Sequence, residues 1–105
     1  MAHFEKEIFD DCMVLKFRDE KIYDDATIIQ IGEELFSIVE SGEKLTYKLD
    51  FSNVNYLSSS MLGKIISANK KAKEKQAKII LKNTNENILE IFQITRLDKF
   101  FTFEN

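Results

Sequence analysis

The 105-residue sequence has no proline, three glycines, one cysteine and one histidine. The lack of proline and scarcity of glycine exclude linkers and low-complexity tracts, and no internal repeat is visible. The chain therefore reads as a single domain over residues 1–105. A lone Cys12 excludes an internal disulfide and points to a reducing cytoplasm. One cysteine and one histidine cannot build an ordinary zinc site, and no glycine-rich loop is present to cradle a phosphate. The sequence thus predicts neither metal nor cofactor. No apolar run approaches the roughly 20 residues of a membrane span. The opening MAHFEKEIFDD is polar and partly acidic, unlike the basic-then-apolar order of a signal peptide.

What is present is ordinary globular composition, with 44% hydrophobic residues and nine phenylalanines, enough for a core. A net charge of −3 argues against nucleic acid as the main partner. The local exception is a basic stretch of Lys64, Lys70, Lys71, Lys73, Lys75 and Lys78. No aromatic residue is interleaved there for base stacking, and the stretch reads as a solvated helix face.

Residues 4–9 and 12–17 read as two strands of a hairpin turned at Asp10–Asp11, with Cys12 as a small core residue. A short extended piece is expected near Lys21–Tyr23. Asp24 or Asp25 caps a helix carrying Ile28, Ile31, Leu35, Ile38 and Val39 at helical spacing, which ends at Gly42. In KLTYKLDF, Leu45, Tyr47, Leu49 and Phe51 alternate with polar residues, the clearest strand signal in the chain. A second helix follows with Leu62, Ile65, Ile66 and Ala72 on one face, then a strand over 77–82. Asn83 with Glu86 predicts a capping pair for a third helix bearing Ile88, Leu89, Ile91 and Phe92. Phe100, Phe101 and Phe103 close the chain as a strand or packed tail. The order β-β-α-β-α-β-α, with an optional last strand, predicts an α/β fold: a mixed sheet with helices packed mainly on one side.

Ser58, Ser59 and Ser60 fall between the third strand and the second helix. One serine there is a favoured helix cap, and the others are left to face solvent or a partner. A serine nucleophile needs a base, but the only histidine, His3, sits near the expectedly mobile N-terminus. The flanks also lack the Gly-x-Ser-x-Gly elbow. The paired acids Asp10–Asp11, Asp24–Asp25 and Glu33–Glu34 read as turn, cap and solvated-face residues. No enzymatic site is predicted.

The stretch KLTYKLDFSNVNYLSSSMLGKII resembles the STAS domain, the fold of bacterial anti-sigma factor antagonists. Leu49–Val54 fits the family's strand and exit, Tyr56–Leu57 its aromatic–aliphatic pair and Leu62–Gly63 its Leu-Gly. ILEIFQITRLDKFFTF is similar to the family's C-terminal pattern. Ser59 falls on the phosphorylated serine, with Ser58 and Ser60 as alternative positions. Ser58 stands where the family has an acidic residue, and Met61 where it has glycine. The resemblance implies a non-enzymatic, phosphorylation-controlled binding module. It would engage an anti-sigma factor that is itself a serine kinase while Ser59 is free, and a serine phosphatase would restore it. Candidate contacts are Asn55, Ser58, Ser59, Met61 and Lys64, with Met61 projecting an adaptable apolar side chain at the surface. Such a module regulates transcription without touching DNA, as a monomer or weak dimer. The alternatives are a constitutive scaffold or accessory module in a signalling or transport complex, and a small-ligand site at the loop.

Overall fold

A computed structural model describes residues 2–105. Period-two alternation builds the central strands. β1 (Phe4–Ile8) and β2 (Cys12–Phe17) pair antiparallel with Phe4 opposite Phe17. β2 buries Met13, Leu15 and Phe17, while Cys12, Val14 and Lys16 stay half-buried on the opposite face. Cys12 is therefore not the core residue expected of it. Its parity with Lys16 turns it away from the core.

After β3 (Lys21–Ile22) comes α1 (Asp25–Glu40). Asp24 is the cap, its carboxylate accepting from the Thr27 N–H at 3.0 Å. Ile28, Ile31, Leu35 and Val39 line the buried face, with Ile38 partly covered. Gly42 ends the helix at φ +67°, where a side chain would be strained, and its N–H donates to the Val39 carbonyl at 3.1 Å. β4 (Thr46–Asp50) then buries Tyr47 and Leu49, followed by Phe51. Leu45, expected on the same face, precedes the strand and is 59% exposed.

The remaining elements are β5 (Tyr56–Leu57), α2 (Ser59–Glu74), β6 (Lys78–Lys82), α3 (Glu86–Ile94), a 3-10 turn (Leu97–Lys99) and β7 (Thr102–Glu104). The cap of α3 is Asn85, which accepts from the Ile88 N–H at 2.9 Å, and not Asn83. Asn83 lies at φ +58° in the turn out of β6, and its amide donates to Asp50 Oδ1 at 3.1 Å. The helix begins only after that turn, so the cap falls two residues later than expected. Ile88 and Phe92 are buried in α3, with Leu89 and Ile91 partly so.

The main sheet runs β1-β2-β4-β6-β7, with every pairing parallel except β1–β2. Each parallel step is crossed by a helix, as parallel pairing requires. The buried faces of the three helices share one core with the inward residues of the sheet. The expected α/β class and mixed sheet are therefore present. Unforeseen is a second, two-stranded sheet in which β3 pairs parallel with β5.

His3 is held rather than mobile. Its backbone N–H donates to Glu34 Oε1 at 2.7 Å, and its ring nitrogens lie 2.9 Å from Asp19 Oδ1 and 3.0 Å from Gln30 Oε1. Both ring partners are acceptors, which suits an imidazolium donating twice. The Asp19 hydrogen bond, opposed by burial and aided by Gln30 and the charges of Asp19 and Glu34, raises its pKa above 6.5. A raised folded-state value makes this contribution fully present below pH 6.5 and lost as pH rises through the raised value. We predict that the unfolding free energy of the native chain falls over that window and that His3→Gln flattens the fall. Urea titrations at a series of pH values measure it, and identical pH profiles for the two chains would contradict it.

Candidate protein-docking site

The loop after β4 is held by partly buried polar contacts around one buried carboxylate. Asp50 is only 9% exposed. Burial pushes its carboxyl up, but the Ser52 N–H at 2.9 Å, the Asn83 amide at 3.1 Å and the nearby Lys82 charge outweigh that and hold it below the ordinary carboxylate value. The Asn53 amide donates to the Phe17 carbonyl at 3.2 Å, and the Asn85 amide to the Val54 carbonyl at 3.0 Å. Val54 and Leu57 are buried. The N–H groups of Asn55 and Tyr56 donate to the Glu20 carbonyl at 2.7 and 3.2 Å, and that of Ser58 to the Ile22 carbonyl at 2.9 Å. The β3–β5 sheet thus fixes where the serine stretch leaves the sheet and where α2 begins.

Ser58 occupies the N-cap position with extended backbone, yet its side chain makes no cap bond and its hydroxyl is buried without a partner among the described residues. This corrects the expectation that a serine side chain caps α2. The first turn of α2 also holds no acidic residue. By contrast, α1 has Asp24 and Asp25, and α3 has Asn85 and Glu86. The partial positive charge at the start of α2 is therefore answered neither by its cap residue nor by its own first turn. Ser59 and Ser60 are exposed there.

Of the other expected contacts, Asn55 is exposed and Ser58 half-buried. Met61 is fully buried, so its place at the surface is a correction. It belongs to the buried row of α2 with Leu62, Ile65, Ala68 and Ala72. At 100° per residue Met61 lies about 200° from Ser59, and so points inward when Ser59 points out. Lys64 is half-buried along α1: a Cβ added at Gly32 would stand 2.7 Å from Lys64 Cδ. Its aliphatic stem covers Gly32 and is turned about 140° from Ser59. Sequence reasoning missed the aromatic pair beside the loop. Tyr56 and Tyr23 are 51% and 60% exposed, edge to face with centroids 6.4 Å apart. The burial of Leu57 was the available signal, since its neighbour Tyr56 must then point outward.

Among the described residues no cluster of three or more His, Cys, Asp or Glu side chains could hold a metal ion, and no helix is long and apolar enough to cross a membrane.

The STAS domain model matches residues 3–105. An anti-sigma-B factor antagonist of Listeria monocytogenes is 23% identical over 73 residues, 70% of this chain and 64% of that protein. The match thus spans less than two thirds of that relative's length. Among solved structures, an anti-sigma-factor antagonist (STAS) domain protein of Planctomyces limnophilus superposes with a TM-score of 0.83 at 16% identity, covering 99% of this chain and 91% of its own. The anti-sigma factor antagonist SpoIIAA in its unphosphorylated form gives 0.79 at 17% identity, with coverages of 97% and 88%. The Bacillus cell fate determinant SpoIIAA in its phosphorylated form gives 0.72 at 17%, with 97% and 91%. Such identities speak for the fold, while the family match takes in all but the first two residues: the chain belongs to the STAS domain family.

Proposed function

We propose that this protein is an anti-sigma factor antagonist controlled by phosphorylation of Ser59. With Ser59 free, the β5–α2 loop, including Asn55, Ser58 and Ser59, docks on an anti-sigma factor that is also a serine kinase. Phosphorylation ends the contact and a serine phosphatase restores it, so a sigma factor is released or held without the module touching DNA. The carrying observation is that Ser59 is exposed at the one helix start among the described residues that lacks both a side-chain cap and an acidic residue. A phosphate there adds about −1.5 to −2 charges, and the helix terminus favours them. The fold therefore tolerates the group, and the docked state does not.

The module does no chemistry of its own. The only histidine is engaged by Asp19 and Gln30, and thus is not free to act as base for Ser59. Its setting is the cytoplasm, as a monomer or weak dimer. The test is a phosphopeptide mass spectrum across residues 53–66 of protein taken from its native cells in several growth states with phosphatases inhibited. Phosphate on Ser59 that varies with growth state is the expected result. No phosphate in any state would replace the switch with a constitutive scaffold.

A further inference from the structure

The basic stretch of α2 acquires aromatic neighbours only in the folded chain. Ile66, Leu97, Phe100 and Phe101 wall a cavity of about 250 Å³, with Lys70 and Lys73 at its rim. Phe100 is 67% exposed, a large apolar side chain left open to water. Lys70 and Lys73 have no ion pair among the described residues, whereas Lys71 between them is paired with Glu74 at 3.1 Å.

Helix geometry joins this cavity to the serine. At 100° per residue, Gly63, Ile66, Lys70 and Lys73 all fall within about 40° of Ser59, on a track about 21 Å long. Gly63 lies exposed in that track, and a Cβ added there would meet nothing within 4 Å, so the helix backbone is open to close approach. The cavity is smaller than the roughly 300 Å³ at which small-molecule sites begin. It matches a single bulky side chain seated as an anchor. The unpaired lysines select a negatively charged neighbour for that anchor.

We infer that the Ser59–Lys73 face of α2 is a docking track for an acidic segment of a protein partner, with one aromatic or large aliphatic side chain seated between Ile66 and Phe100. The carboxylates of that segment lie against Lys70 and Lys73. The inference rests on Ser59 marking the docking face and adds the partner's chemistry.

The test is an amide NMR titration of the full chain with the peptide DEEFEDD, with DEEAEDD, KKKFKKK, octanoate and a single-stranded oligothymidylate as comparisons. DEEFEDD is expected to shift Ile66, Lys70, Lys73 and Phe100, weakening as salt is raised. Lys70→Glu with Lys73→Glu, or Phe100→Ala, should weaken it about tenfold or more, and these exposed positions leave the fold intact. A flat titration, or equal shifts from any comparison probe, would overturn the inference. A flat titration with growth-dependent phosphate on Ser59 removes the track and leaves the switch. A localised titration with no phosphate in any growth state does the reverse.

Discussion

Ser59→Asp is expected to weaken binding to the proposed anti-sigma partner more than about a hundredfold, equivalent to a loss of roughly 3 kcal/mol. The substitution leaves the fold in place because it puts a negative charge where α2 has no acidic side chain in its first turn. An anion at a helix N-terminus is favoured by about 0.3–1 kcal/mol. The unfolding midpoint should therefore stay or rise slightly while affinity collapses. The collapse arises at the interface, where a carboxylate must give up its water without a compensating partner or meet acidic groups. Ser59→Ala, neutral and small, should bind close to the native chain. Calorimetric titration of the three chains against the partner measures both effects. Equal affinity for Ser59→Asp and the native chain would sink the switch.

The second large effect is on stability. Phe92 has no exposed surface, and its ring stands edge-on to Phe101 at 5.8 Å and to Phe103 at 5.6 Å. Phe92→Ala should cost about 3–5 kcal/mol, through lost transfer energy and the cavity left behind. Domains of this kind have about 5–15 kcal/mol in total, so the melting temperature should fall by on the order of 15 °C. The loss should also be uneven. β7 pairs with β6 over three residues only, Ile80 with Thr102, Leu81 with Phe103 and Lys82 with Glu104. The Lys48–Glu104 ion pair at 3.0 Å is partly exposed and adds little. Without Phe92 beneath it, β7 should lose amide-exchange protection before β2 and β4 do. Melting curves and native-state hydrogen exchange check this. A midpoint shift of only a few degrees would mean that α3 does not pin the C-terminal strand.

That pinning also bears on the proposed docking track. Phe101 touches Phe92 from inside and walls the cavity near Lys70 and Lys73 from outside. The core of α3 thus sets the shape of a surface pocket.

The elements that could be read in advance are those whose signal is local. Met13, Leu15 and Phe17 alternate within a few residues, as do Tyr47, Leu49 and Phe51, and Ile28, Ile31, Leu35 and Val39 recur within a few turns. Gly42 was legible because the left-handed backbone at a helix end favours glycine. The misreadings have separate causes. Asn83 and Asn85 are chemically equivalent caps, and the Asp50 carboxylate, distant in sequence, draws Asn83 away. Met61 reads as exposed when placed beside Ser59 in a loop, but it is the third residue of a helix and points into the core. Leu45 lies just before its strand, where parity alone does not decide cover, whereas Cys12 shares the parity of Val14 and Lys16 and so faces away from the core. His3 reads as a loose terminus until Asp19, Gln30 and Glu34 are brought around it.

By itself the sequence determined the alternation of strands and helices, the mixed sheet and the place of Ser59 at the start of α2, because periods of 2 and 3.6 residues and turn chemistry act over neighbouring residues. Only the tertiary structure decided that β3 clamps the serine loop through β5, that the stem of Lys64 lies over Gly32 of α1, and that Phe100 and Phe101 come to lie beside the lysines of α2. Those contacts join residues far apart in the chain, and they follow from which apolar faces are buried together rather than from any local pattern.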